Sequence, residues 1–109
     1  MTLEQRISAI VKLGNHLSNL SDEAFETLAL NARNENPWFT AENVKRSLTG
    51  ITQYLKEDKL RQWTSAYTLN PAKPKEVALV LAGNIPLVGF HDLLCVPISG
   101  HHAQVKLIS

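Results

Sequence analysis

The chain has 109 residues, enough for one domain with a modest core and too few for two. Its 11 Lys and Arg nearly balance 10 Asp and Glu, and no block of like charge offers a face to nucleic acid or an anionic membrane. The longest apolar run, Val77 to Ala82, falls far short of the roughly 18 residues of a membrane span, and the single cysteine, Cys95, excludes an internal disulfide.

The opening MTLEQRIS carries an acid and a base and leads into no signal-peptide core, so a cytoplasmic location is expected. From Thr2 to about Leu17, Leu3, Ile7, Ile10, Leu13 and Leu17 recur at spacings of three and four, which predicts an amphipathic helix weakened in its second half by Gly14. Ser21 followed by Asp22 and Glu23 marks the start of a second helix, to about Arg33, with Phe25, Leu28 and Ala29 inward. Asn34 to Pro37 ends it. Thr40 caps a third helix with Glu42 in its first turn and Val44, Leu48, Ile51 and Leu55 as the buried stripe. Trp38 and Phe39 just ahead are placed to staple onto it. A fourth helix, Asp58 to about Tyr67, is expected to bury Leu60 and Trp63 and to leave Lys59, Arg61 and Gln62 in solvent.

Residues 1–67 therefore read as a helical region. Residues 68–76, TLNPAKPKE, form a proline-containing, semi-rigid linker that acts as a hinge. Residues 77–109 read as one βαβ unit: a strand from Val77 to Ala82, a Gly-Asn-Ile-Pro turn, a helix carrying Leu87, Phe90, Leu94 and Ile98, and a second strand from Ala103 to Ile108. The first strand is continuously apolar, the pattern of a strand covered on both faces of a parallel sheet. Pro97 should kink or end the helix, and Gly100 should stop it. The expected class is thus α/β, a helical N-terminal region followed by the start of a parallel sheet.

Ligands of such sheets gather beyond the carboxyl ends of the strands, where helix N-termini present unpaired N–H groups. Gly83 allows close backbone approach there, Asn84 adds an amide donor, Pro86 fits the first turn of a helix, and Lys106 can reach the same edge. The plainer alternative is that Asn84 caps the helix and Lys106 is solvated. Both the Rossmann G-x-G-x-x-G and the P-loop patterns are absent. Cys95, among Leu93, Leu94 and Val96 with no adjacent Lys or Arg, reads as a small buried thiol rather than a nucleophile. His91 and Cys95 are one helical turn apart, but a zinc site with His101 and His102 would require the Pro97–Gly100 segment to fold back, and no metal is expected.

The stretch AGNIPLVGFHDLLCVPISGHHAQVKL, together with NPWFTAENVKRSLTGI upstream, resembles the acyl-CoA reductases of the LuxC type within the aldehyde dehydrogenase superfamily. The resemblance covers most of the chain from about Asn36 onward. It implies the N-terminal part of a reductase that converts an acyl thioester, on coenzyme A or a carrier protein, to an aldehyde through a cysteine acyl-enzyme. It also implies a cofactor, NADP(H), a nucleophilic cysteine in a downstream catalytic domain, and as partner either the remainder of a reductase chain or another copy. Asn84 stands where the superfamily places its oxyanion donor. Ala82, Gly83 and Pro86 stand in its cofactor turn, and Lys106 where a lysine contacts the adenosine ribose. Ser109 occupies the place of an acid common among NAD-preferring members, which favours NADP(H). Gly83, Ile85 and the Leu107-Ile108 pair depart from the residues usual in that superfamily. A second expectation, from another class, is a stand-alone binding or assembly module that retains the βαβ tail without turnover.

Overall fold

A computed structural model describes residues 1–83 and 87–108. In chain order it contains α1 (Leu3–Ser18), α2 (Asp22–Glu35), α3 (Ala41–Tyr54), α4 (Glu57–Thr64), β1 (Glu76–Ala82), α5 (Phe90–Ile98) and β2 (His102–Ile108). Asn84, Ile85, Pro86 and Ser109 lie outside the described residues, and with them the expectations placed on them.

The first three helices begin where a hydroxyl can satisfy an otherwise orphaned N–H. Thr2 Oγ1 accepts from Gln5 N–H (3.2 Å) while Gln5 Oε1 accepts from Thr2 N–H (2.9 Å), a complete capping box. Ser21 accepts from Ala24 N–H (3.1 Å), and Thr40 from Asn43 N–H (3.2 Å). Phe39, the residue before the Thr40 cap, packs into the Val44 and Leu48 cluster, so the staple forms through Phe39. Trp38 takes no part in it and is 85 % exposed.

The core has three buried clusters: Ile7, Leu60 and Ile98; Ala32, Val44 and Leu48; Ile51, Leu55 and Leu94. Two of them contain an α5 residue, so the helical region and the βαβ unit share their interior. α5 packs on α1 on one side and on both strands on the other. The α3 stripe is buried as expected. Leu13 and Leu28 are exposed instead of inward. On α1 the inward position belongs to Gly14, one residue step of about 100° further round the helix. On α2 it is taken by Ala29 and Ala32, small residues that let the helix lie close to α3. α4 stops at Thr64, whose hydroxyl donates back to Leu60 O (2.8 Å), and Tyr67 beyond it is exposed. Leu60 is fully buried while Trp63 stays at the surface. Arg61 stays exposed as expected and also forks onto both Glu4 carboxylate oxygens (2.7 and 2.9 Å) and reaches Glu57 (3.1 Å), tying α4 to α1.

The linker is held by hydrogen bonds at both of its ends. The half-buried Arg6 guanidinium donates to Leu69 O, to Ile98 O (3.4 Å) and to Met1 O (2.8 Å). Further on, Lys75 N–H donates to His101 Nδ1 (2.9 Å) and His102 N–H to Lys75 O (2.9 Å).

β1 and β2 pair in parallel, from Glu76 opposite His102 to Ala82 opposite Ile108. The continuous apolar run of β1 is not covered on both faces. Val77, Leu79 and Leu81 are half-buried on the α5 side, whereas Ala78 and Val80 face outward, Val80 at 66 % exposure. A single helix layer covers one face of a sheet, and among the described residues nothing lies on the other. Pro97 is accommodated inside the last turn of α5, which closes as a Schellman motif. His101 N–H donates to Val96 O (3.2 Å) and Gly100 N–H to Pro97 O (3.0 Å), with Gly100 at φ +94°. No helix of the described residues is long and apolar enough to cross a membrane.

Candidate functional site

Parallel pairing brings the carboxyl ends of both strands to one edge, and the chain there is held by glycines for steric reasons. Gly83 N–H donates to Ile108 O, and a Cβ on Gly83 would stand 3.2 Å from both Ile108 O and Leu107 Cβ. A Cβ on Gly89, at the start of α5, would lie 2.6 Å from Leu81 Cδ2, so this glycine sets how closely the helix approaches β1. Between them Leu87 adopts a left-handed backbone, φ 64°. For a leucine that costs on the order of 1–3 kcal/mol. Its side chain packs against the Val44–Leu48 and Leu55–Leu94 clusters, and this burial holds it there.

The result is a cavity of about 250 Å³ at the strand ends, lined by Leu81, Gly83, Leu87, Val88, Phe90 and Leu107 among others. Ala82 and Gly83, expected at the site, line it. Lys106 does not: it is in register with Val80, exposed, on the sheet face turned away from α5. The α5 N-terminus has no side-chain cap and carries Asp92 in its first turn, an acid that already occupies the positive end of the helix dipole. Leu87, expected inside the helix, instead stands before α5 begins at Phe90, and with Gly89 and Phe90 it shapes the hollow without being a residue that the sequence marks as a site. The signal available was the glycine two residues after a leucine just past the turn, which marks close helix–strand packing.

The cysteine and histidines are arranged for structure. Burial, and then the Asp92 charge, push the Cys95 thiol above its ordinary value, the opposite of what a nucleophile needs. Its Sγ lies 3.7 Å from His91 Nε2. His91 stacks on Trp63 (centroids 5.9 Å apart, planes at 26°) and is tilted against Tyr54 at 6.3 Å. His101 spends Nδ1 on the Lys75 N–H. Among the described residues no group of three or more His, Cys, Asp or Glu is disposed to hold a metal ion.

Fold and site together define a mixed helix-and-strand protein with a two-stranded parallel sheet and a small apolar hollow at the carboxyl ends of its strands. No protein-family model, no curated protein and no solved structure matches the chain.

Proposed function

We propose that this chain contributes the opening βαβ unit of the cofactor domain of a cytoplasmic, NADP(H)-dependent acyl thioester reductase of the LuxC kind. The observation that carries the reading is the parallel β1–α5–β2 unit whose glycine turn stands at the carboxyl end of β1, where ligands of open α/β sheets bind. At that strand end stands Gly83, whose missing side chain is what lets Ile108 O and Leu107 come so close. Ala82, Gly83 and Pro86 would line the cofactor's approach; the resemblance assigns Lys106 and Ser109 to the adenosine ribose, which for Lys106 requires the cofactor to extend past the strand ends onto the outer sheet face. The cofactor, when bound, supplies the hydride that reduces an acyl thioester to an aldehyde. Asn84 would donate its amide N–H to the oxyanion that develops at the acyl carbon. Single donors of this kind contribute on the order of 2.7–4 kcal/mol to the transition state. The nucleophile is assigned to a cysteine outside this chain, because Cys95 has its thiol form favoured.

The test is a titration of the purified 109-residue protein with NADPH and NADH, read by nicotinamide fluorescence. The expected result is binding with preference for NADPH, weakened about tenfold by Lys106→Ala, the loss of one charged hydrogen bond. Absence of binding at millimolar cofactor, or binding indifferent to Lys106, overturns the cofactor assignment. A second reading, an assembly module without turnover, is favoured by one observation: β2 is exposed along nearly its whole length.

A further inference from the structure

Both strands of the two-stranded sheet have an unpaired outer edge, and β2 is the more exposed of the two. α5 is the helix that packs on it, every residue from Gln104 to Ile108 is exposed, and Val105 and Leu107 are 43 % and 60 % exposed. The register decides which of its peptide groups are free. His102 N–H donates to Lys75 O, and Ile108 O accepts from Gly83 N–H. In a parallel ladder this parity turns both peptide groups of His102, Gln104, Lys106 and Ile108 toward β1. Ala103, Val105 and Leu107 therefore present their N–H and C=O groups to the open edge.

We propose that this edge pairs with the same edge of a second copy of the chain, antiparallel about a two-fold axis through Val105, to give one four-stranded sheet. The proposal rests on the second reading above, an assembly module, and not on the reductase reading, which gives Lys106 and the sheet edge other contacts. Three features of the strand select a second copy as the occupant. The free peptide groups form a set symmetric about Val105. Ala103 exchanges hydrogen bonds with the partner's Leu107, Val105 with the partner's Val105, and Leu107 with the partner's Ala103, so none is left over. On the outward face the same register sets Lys106 opposite the partner's Gln104. Gln104 Nε2 already donates to Glu76 Oε2 (3.0 Å), which leaves the Gln104 carbonyl oxygen to accept from the incoming ammonium, with a carboxylate just behind it. No like charges face each other across the axis. On the α5 face the exposed Val105 meets the partner's Val105, and the exposed Leu107 lies over the partner's small Ala103.

Along an unpaired edge Lys106 is a charge of the kind that discourages unwanted strand addition. In this register it finds an acceptor. Because the axis stands perpendicular to the sheet, the two copies of α5 fall on one face and flank the paired valines and leucines.

The experiment is sedimentation velocity on the 109-residue protein across the micromolar range, with hydrogen exchange at the same concentrations. The expected result is a reversible rise from 12.1 kDa toward twice that mass, with the Ala103, Val105 and Leu107 amides protected as the dimer fills. Val105→Lys sets like charges opposite each other at the axis and should weaken association by about tenfold or more. Val105→Pro removes an N–H that β1 does not use, so it should keep the fold, checked by circular dichroism, and abolish pairing. A monomer at every concentration, a dimer indifferent to both variants, open-ended larger species, or protection of the three amides in a monomer overturns the proposal.

Discussion

Two glycines in the middle of helices should respond differently to the same substitution. Gly50, in α3, has nothing within 4 Å of where a Cβ would be. Gly50→Ala therefore gains only the helix propensity difference and should stabilise by about 0.8–1 kcal/mol. In α1, a Cβ on Gly14 would stand 2.6 Å from Leu55 Cβ and 3.2 Å from Leu55 O. Leu55 is almost fully buried, and its Cβ cannot swing aside without its backbone. Restoring ordinary contact requires α1 and the end of α3 to separate by about 1 Å, an overpacking cost of about 1–3 kcal/mol. Set against the propensity gain, Gly14→Ala should come out between neutral and about 2 kcal/mol destabilising, and at least about 1 kcal/mol below Gly50→Ala. Urea unfolding followed by far-ultraviolet circular dichroism, at one fixed protein concentration, measures both. For a domain of this size each kcal/mol also moves Tm by about 4–8 °C. If Gly14→Ala proves as stable as Gly50→Ala, the close α1–α3 approach is wrong, and with it the reason why Leu13 is displaced from the core.

Arg6→Met should release the linker, since three backbone carbonyls lose their shared cationic donor. The expected loss is about 1–3 kcal/mol, with faster exchange of the His102 amide; Arg6→Lys should not restore it, because one ammonium cannot reproduce the fork. A wild-type His102 exchange rate in Arg6→Met would show that the linker is held by something else. The Glu4–Arg61 pair makes stability depend on acid. Hydrogen bonding to Arg61 and its charge hold the Glu4 carboxyl below the usual carboxylate range, so the contribution is complete above that range and lost as pH falls through the lowered value. Both groups are solvent-exposed and the effect is small and screened by salt. Glu4→Gln should flatten the stability profile below the usual carboxylate range and change little at neutral pH, and an unaltered acid limb would remove the pair from the account.

The helices were legible because their causes are local. Ser21 and Thr40 cap where they stand in sequence. The α3 stripe of Val44, Leu48, Ile51 and Leu55 follows from one periodicity, and the start of α2 from one serine and two acids. The parallel β1–α5–β2 order was likewise readable from apolar runs and turn residues. The positions that went astray, Leu13, Leu28 and Trp63, sit at the margins of apolar stripes. Whether such a residue is buried depends on how closely the facing helix comes.

Of the expected site, Ala82 and Gly83 lie at the strand-end hollow, while Lys106 is set apart from it by strand parity, which depends on register and not on the lysine's own neighbours. Sequence alone thus determined where elements begin and which residues could turn the chain. Tertiary structure alone decided that Gly14 is a contact rather than a weakness, that Arg6 fastens the proline-containing linker, and that β1 is covered on one face. Each of these is set by distances between segments far apart in the chain, and no local pattern of residues encodes such a distance.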